Sequence, residues 1–98
     1  MFIKIHESYR IIVALADSDL IGKVFEEGIK RINIRESFFV GEKKSKEEIV
    51  RILKEMDKED ATFNIVGDDS ISAAIEAGII NEKGIMKIEN VPIALGLF

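Results

Sequence analysis

The chain has no cysteine, no tryptophan and no glutamine, and only one proline, one histidine and one tyrosine among its 98 residues. Each shortage excludes something. Without cysteine there is no disulfide framework, no thiolate metal site and no thiol nucleophile. With His6 alone, a histidine cluster around a metal is excluded. Carboxylate-only binding of Mg²⁺ or Ca²⁺ has no motif here, so no cofactor and no metal are expected. No apolar run approaches the ~20 residues that span a bilayer. The start, Met1-Phe2-Ile3-Lys4-Ile5-His6-Glu7, is broken by charge and unlike a signal peptide. The expectation is a cytoplasmic protein with no membrane partner.

What is present is an even spread of Ile, Val and Leu within a 47% apolar composition. That fits one globular domain over residues 1–98. Abundant Ile with Lys and Glu as the dominant charges is a thermophile-like bias, which a low-GC genome also produces. The net charge of −4 disfavours indiscriminate nucleic-acid binding. The charge is uneven, however. Residues 23–46 carry seven basic and four acidic groups, whereas residues 47–98 carry five basic and eleven acidic. The middle third therefore offers a candidate interaction face built from Lys23, Lys30, Arg31, Arg35, Lys43 and Lys44. Phe38 and Phe39 are stacking candidates beside it, for RNA or a ribonucleoprotein. The alternative is an ordinary solvated face.

Residues 2–6 alternate, with Phe2, Lys4 and His6 on one side and Ile3 and Ile5 on the other. Tyr9 to Ala16 is nearly continuous apolar sequence, so the two runs predict a hairpin with a buried second strand. Asp17, Ser18 and Asp19 are cap candidates. Leu20, Ile21, Val24 and Phe25 fall at helical spacing, which predicts a helix closed by Gly28. Ile29 to Arg35 alternates as a strand with a basic outer face. Ser37 to Gly41 is a short apolar piece. Ser45 and Glu48 make a capping box, and Ile49, Ile52, Leu53 and Met56 give the buried stripe of a helix over 45–58. Residues 62–78 read as a strand, a glycine turn at Gly67, a helix begun by Asp68 and Asp69, and a stop at Gly78. Ile85–Ile88 and Val91–Phe98 close the chain as strands. Pro92 cannot donate to a ladder, which predicts that the last one sits at a sheet edge or begins just after Pro92. The order ββαβ(β)αβαββ predicts an α/β (or α+β) domain with a mixed sheet of about five to seven strands and two or three helices.

Gly67 before a helix suggests an anion cradle, but Asp68 and Asp69 already occupy the amide end and repel phosphate. The expectation is a self-capped joint; a cation held by the two carboxylates lacks a third ligand. Asn64 is the odd polar residue of its strand, and needs a partner if buried. Asn64, Gly67 and Asp68 form the candidate structural or polar site. A pocket near Asn64, Gly67 and His6 would instead mean a small-molecule binder or enzyme. His6 has no nucleophile motif, and Glu7 points to the opposite face, so no catalytic residue is assigned. The apolar tail Ile93–Phe98 suggests packing on the sheet, or pairing into a homodimer.

Lys4-Ile5-His6, Leu20-Ile21-Gly22-Lys23 with Phe25, Glu27 and Gly28, Asn64-Ile65-Val66-Gly67, Ala74-Ile75-Glu76-Ala77-Gly78 and Val91-Pro92 together resemble the archaeal domain-of-unknown-function family 424. The resemblance runs essentially end to end. It implies an archaeal source, a small cytosolic domain, no assigned activity, cofactor or catalytic residue, and a loose link to translation. With the residues themselves, it points to a non-enzymatic binding or adaptor domain.

Overall fold

The computed structural model describes residues 1–96. The N-terminal alternation becomes an antiparallel hairpin of β1 (Phe2–Glu7) and β2 (Ile11–Ala16). A 3-10 turn at Ser18–Leu20 follows, then a second hairpin, β3 (Val24–Glu27) and β4 (Lys30–Asn33). One helical turn, α1 (Glu36–Phe39), leads to the short β5 (Glu42–Lys43) and then to α2 (Lys46–Lys58). The chain continues through β6 (Thr62–Val66), α3 (Asp68–Ala77), β7 (Met86–Ile88) and β8 (Val91–Leu95).

Six strands form one mixed sheet in the order β5-β1-β2-β6-β8-β7, and β3-β4 stands as a separate two-stranded ribbon. Among the described residues, only β2 and β6 are parallel neighbours within that sheet. The strand period of two then sorts side chains onto two faces. On one face Ile3, Val13, Leu15, Phe63, Ile65 and Ala94 meet α2 and α3 through Ile49, Leu53, Ile71 and Ala74. On the other, Ala14, Ala16, Val66 and Ile93 meet Ile34 and Phe39, with Leu20, Phe25, Ile32 and Phe38 packed around them. The protein is therefore three layers thick: helices, sheet, and a thin cover made by residues 18–40.

Helix α2 forms where the capping box predicts it. The Glu48 N–H donates to Ser45 Oγ, and the Ser45 N–H donates to Glu48 Oε1 at 3.2 Å. The Ser45 hydroxyl also donates to Glu48 Oε1, at 3.0 Å, and the bonds from the Ser45 amide and hydroxyl hold the Glu48 carboxyl below its ordinary value. Lys44 is raised in turn, first by its hydrogen bond to Glu42 and then by the charges of Glu42 and Glu48.

Two expectations fail, each for a physical reason. The helix over 17–28 is replaced by a 3-10 turn and β3. Gly22 and Gly28 both adopt positive φ, +84° and +64°, which breaks helical continuity. Gly28 is also the first central residue of the two-residue connection between Glu27 and Lys30, the place where a II′ hairpin needs glycine. The short apolar piece at 37–41, an optional strand in the expected order, is one helical turn over Glu36–Phe39. The proline strand is neither at the edge nor begun after Pro92: β8 starts at Val91 and lies between β6 and β7, with Pro92 opposite Lys87. Antiparallel bonding alternates, so a tight hairpin at Glu89–Asn90 turns the Pro92 nitrogen toward β6. There the Gly67 N–H donates to the Pro92 carbonyl at 2.9 Å, while the Gly67 carbonyl accepts from Ile71 N–H. The missing donor falls opposite a carbonyl already in use. Leu97 and Phe98, the end of the expected apolar tail, lie outside the described residues.

Candidate functional site

The joint at Gly67 is filled by the fold itself. Asp17, at the end of β2, is buried against the first turn of α3. Its carboxylate accepts from Asp69 N–H at 3.1 Å, Ser70 N–H at 2.8 Å and Ser70 Oγ at 2.7 Å. Ser70 is itself fully buried. The expected self-capping by Asp68 and Asp69 is therefore corrected. Both are exposed in the first turn, and the cap comes from a residue about fifty positions earlier. Gly67 has φ +109°, and a Cβ there would lie 2.3 Å from Asp17 Cγ. Glycine is needed twice over, for the backbone angle and for the space the carboxylate takes.

His6, Asn64 and Gly67 do not converge. His6 aligns through Ile12 with Thr62, which puts its level five residue steps, about 16 Å of strand, from Gly67. The His6 ring stacks on Phe38 with centroids 4.7 Å apart, and Nε2 lies 2.9 Å from the Phe38 carbonyl. The carbonyl accepts, so Nε2 carries the proton. Lys4 Nζ donates to the Ser37 carbonyl at 2.9 Å. The two side chains fasten α1 onto β1. A groove of about 420 Å³ opens at the lower end of β6 and β8, with Thr62, Phe63, Leu95 and Gly96 in its walls. Asn64, Gly67 and His6 are not among its lining residues.

Asn64 is half-buried on the sheet face opposite the helices, between Ala14 and Leu95. Residues 18–40 cover that face over Ala14, Ala16, Val66 and Ile93, which are buried, and reach His6 on β1 through Phe38. Beside this cover a strip runs obliquely across the strands from Met86 through Leu95 and Asn64 to Ile12. Met86 is 44% and Leu95 46% exposed, while Ile12 is half-buried. Neighbours along this strip are directly opposite or diagonal pairs, close enough to form one surface. Strand parity predicts the facing of these residues, but only the sheet order shows that they adjoin.

The six basic candidates separate into two groups. Lys23, Lys30, Arg31 and Arg35 belong to the β3-β4 ribbon and its junctions, which touches β7. Lys43 and Lys44 sit at or beside β5, the opposite edge of the sheet. Five strand spacings put the β7 edge about 24 Å from β5; Arg35, the N-cap of α1 on β1 and β2, lies between the two edges. Arg31 pairs with Glu26 at 3.2 Å, Lys44 pairs with Glu42 at 3.1 Å, and Lys43 lies over the Phe2 ring. Phe39 is buried in the core and Phe38 is half-buried against His6.

Residues 6–96 match the family model described as "Protein of unknown function (DUF424)". The chain belongs to that family. A solved structure, an uncharacterized conserved protein from the archaeon Methanopyrus kandleri, superimposes with a TM-score of 0.83 at 22% identity, over 99% of this chain and 93% of that one. At that identity the likeness establishes a shared fold. No curated protein matches the chain. Among the described residues, this DUF424 member has no helix long and apolar enough to cross a membrane.

Proposed function

We propose that this DUF424 protein is a non-enzymatic binding module, an adaptor, whose contact face is the uncovered part of the sheet face opposite the helices. The observation that carries the reading is the strip Met86–Leu95–Asn64–Ile12. Two of its apolar side chains stand nearly half exposed on a sheet face that residues 18–40 cover in part. A protein surface suits this chemistry: apolar contact with one amide to fix register. The groups a catalytic reading would draw on have structural work instead. The imidazole of His6 is stacked and hydrogen-bonded to Phe38, and the α3 amide end is occupied by Asp17.

Affinity capture from native cells tests the reading, using the wild type with Leu95→Glu, Met86→Glu and Lys43→Ala. The expected result is a discrete protein partner held by the wild type and K43A but lost with both strip variants. Equal retention by all four proteins overturns it. A translational or ribonucleoprotein partner falls within the same reading. Direct RNA binding through Lys23, Lys30, Arg31 and Arg35 is the competing outcome. It would show as affinity that falls steeply with salt and flattens when Arg31 and Arg35 are neutralised.

A further inference from the structure

We infer that the β3-β4 ribbon is a strap that opens separately from the rest of the domain, turning about Gly22 and Ile34. None of its eight strand residues is fully buried; Phe25 and Ile32 are half-buried and the other six are exposed. A two-stranded ribbon is marginal alone and depends on what it packs against. Here, among the described residues, no backbone-to-backbone hydrogen bond joins it to the six-stranded sheet. Its polar ties are two exposed bonds to the β7-β8 turn: Glu26 N–H donates to Glu89 Oε2, and Glu89 N–H to Glu27 Oε1, both at 2.8 Å. The root of the strap is firmer. Gly22 N–H donates to the Ile34 carbonyl at 2.7 Å, Ile34 N–H donates to the Lys23 carbonyl at 2.9 Å, and Ile34 is fully buried.

Weak ties beyond a strong root are the conditions for sub-global opening. Lifting Phe25 and Ile32 uncovers the apolar side chains they pack among, Ile88 and Val91 included. Ile88 and Val91 face each other one step above Met86 and Ile93, so the exposed strip lengthens along β7 and β8. That consequence rests on the binding reading above; the strap itself does not. Hydrogen exchange on the chain alone separates the two. Ladder alternation places the Phe25 and Ile32 amides inside the ribbon's own hydrogen-bonded pair. They are expected to exchange at least about 100-fold faster than those of Leu15 and Ile65, with little dependence on denaturant. Glu27→Ala is expected to speed Phe25 and Ile32 further and leave Leu15 and Ile65 unchanged. Equal protection of all four amides, or a uniform acceleration in E27A, overturns the inference.

Discussion

Replacing Asp17 by alanine removes a single acceptor that serves three donors. The Ser70 hydroxyl and amide lose their partner at a fully buried position, and the Asp69 amide loses its bond as well. Leaving a buried polar group unsatisfied costs about 1–3 kcal/mol. Losing an N-cap costs about 1 kcal/mol in addition. The three donors share one carboxylate, so these terms overlap and do not sum in full. A net loss of about 3 kcal/mol is expected. For a domain of this size, each kcal/mol moves Tm by roughly 4–8 °C, which gives a fall of about 12–24 °C. Asp17→Asn should lose less, about 1–2 kcal/mol, because its oxygen can still serve Ser70 while its NH₂ faces the Asp69 amide. Asp69→Ala is the control. Asp69 is exposed and acts on α3 mainly through the helix dipole, worth about 0.3–1 kcal/mol. Thermal unfolding by far-UV circular dichroism, with urea midpoints, measures all three. If D17A and D69A lie within about 1 kcal/mol of each other, the cap is not the long-range one described, and the reasoning fails.

Gly67→Ala should lose at least about 2 kcal/mol in urea unfolding, because φ +109° strains any other residue and the new methyl meets the Asp17 carboxylate. A neutral G67A variant would show that the joint has room to move. The Glu48 carboxyl is held below its ordinary value, so its contribution to α2 is present above that value and is lost as pH falls through the lowered folded value. Glu48→Gln should flatten that acid-side dependence when stability is followed from neutral pH downward; an unchanged profile would refute the assignment. His6→Ala removes the stack and the hydrogen bond that fasten α1. It should cost about 1 kcal/mol and speed amide exchange at Phe39 and Val40 before it affects α2.

Local chemistry made some of this fold legible and left the rest hidden. The α2 boundaries follow from Ser45 and Glu48, three residues apart. The β6-Gly67-α3-Gly78 unit follows from strand period, glycine and a left-handed stop at φ +75°. The cap on α3 was out of reach because Asp17 and Ser70 are brought together by sheet pairing, not by spacing. Residues 20–25 misled because Leu20, Ile21, Val24 and Phe25 match a helical stripe as well as they match a thin cover over a sheet. The Glu27-Gly28-Ile29-Lys30 turn was the signal that would have decided it. Pro92 misled because an edge is one way to tolerate a missing donor, and a carbonyl already satisfied by Ile71 is another. The strip around Asn64 was legible as a strand parity and no further, since its members lie on four strands whose order the spacing leaves open.

The Asp17 cap also acts as a proofreader of strand register. Asp17 continues β2, and its own amide donates to the Val66 carbonyl at the end of β6. A one-residue slip in β2 would turn every side chain of that strand to the opposite face. It would push the Asp17 carboxylate in among Ile34, Phe39 and Ile93 and leave the amide end of α3 bare. The correct alignment alone gives that charge its three donors. Among the described strands, β2 and β6 form the one parallel pair, and that pair must find itself across the longest interval of chain between neighbouring strands. Register there is therefore checked by a helix that can be completed only after the check is passed.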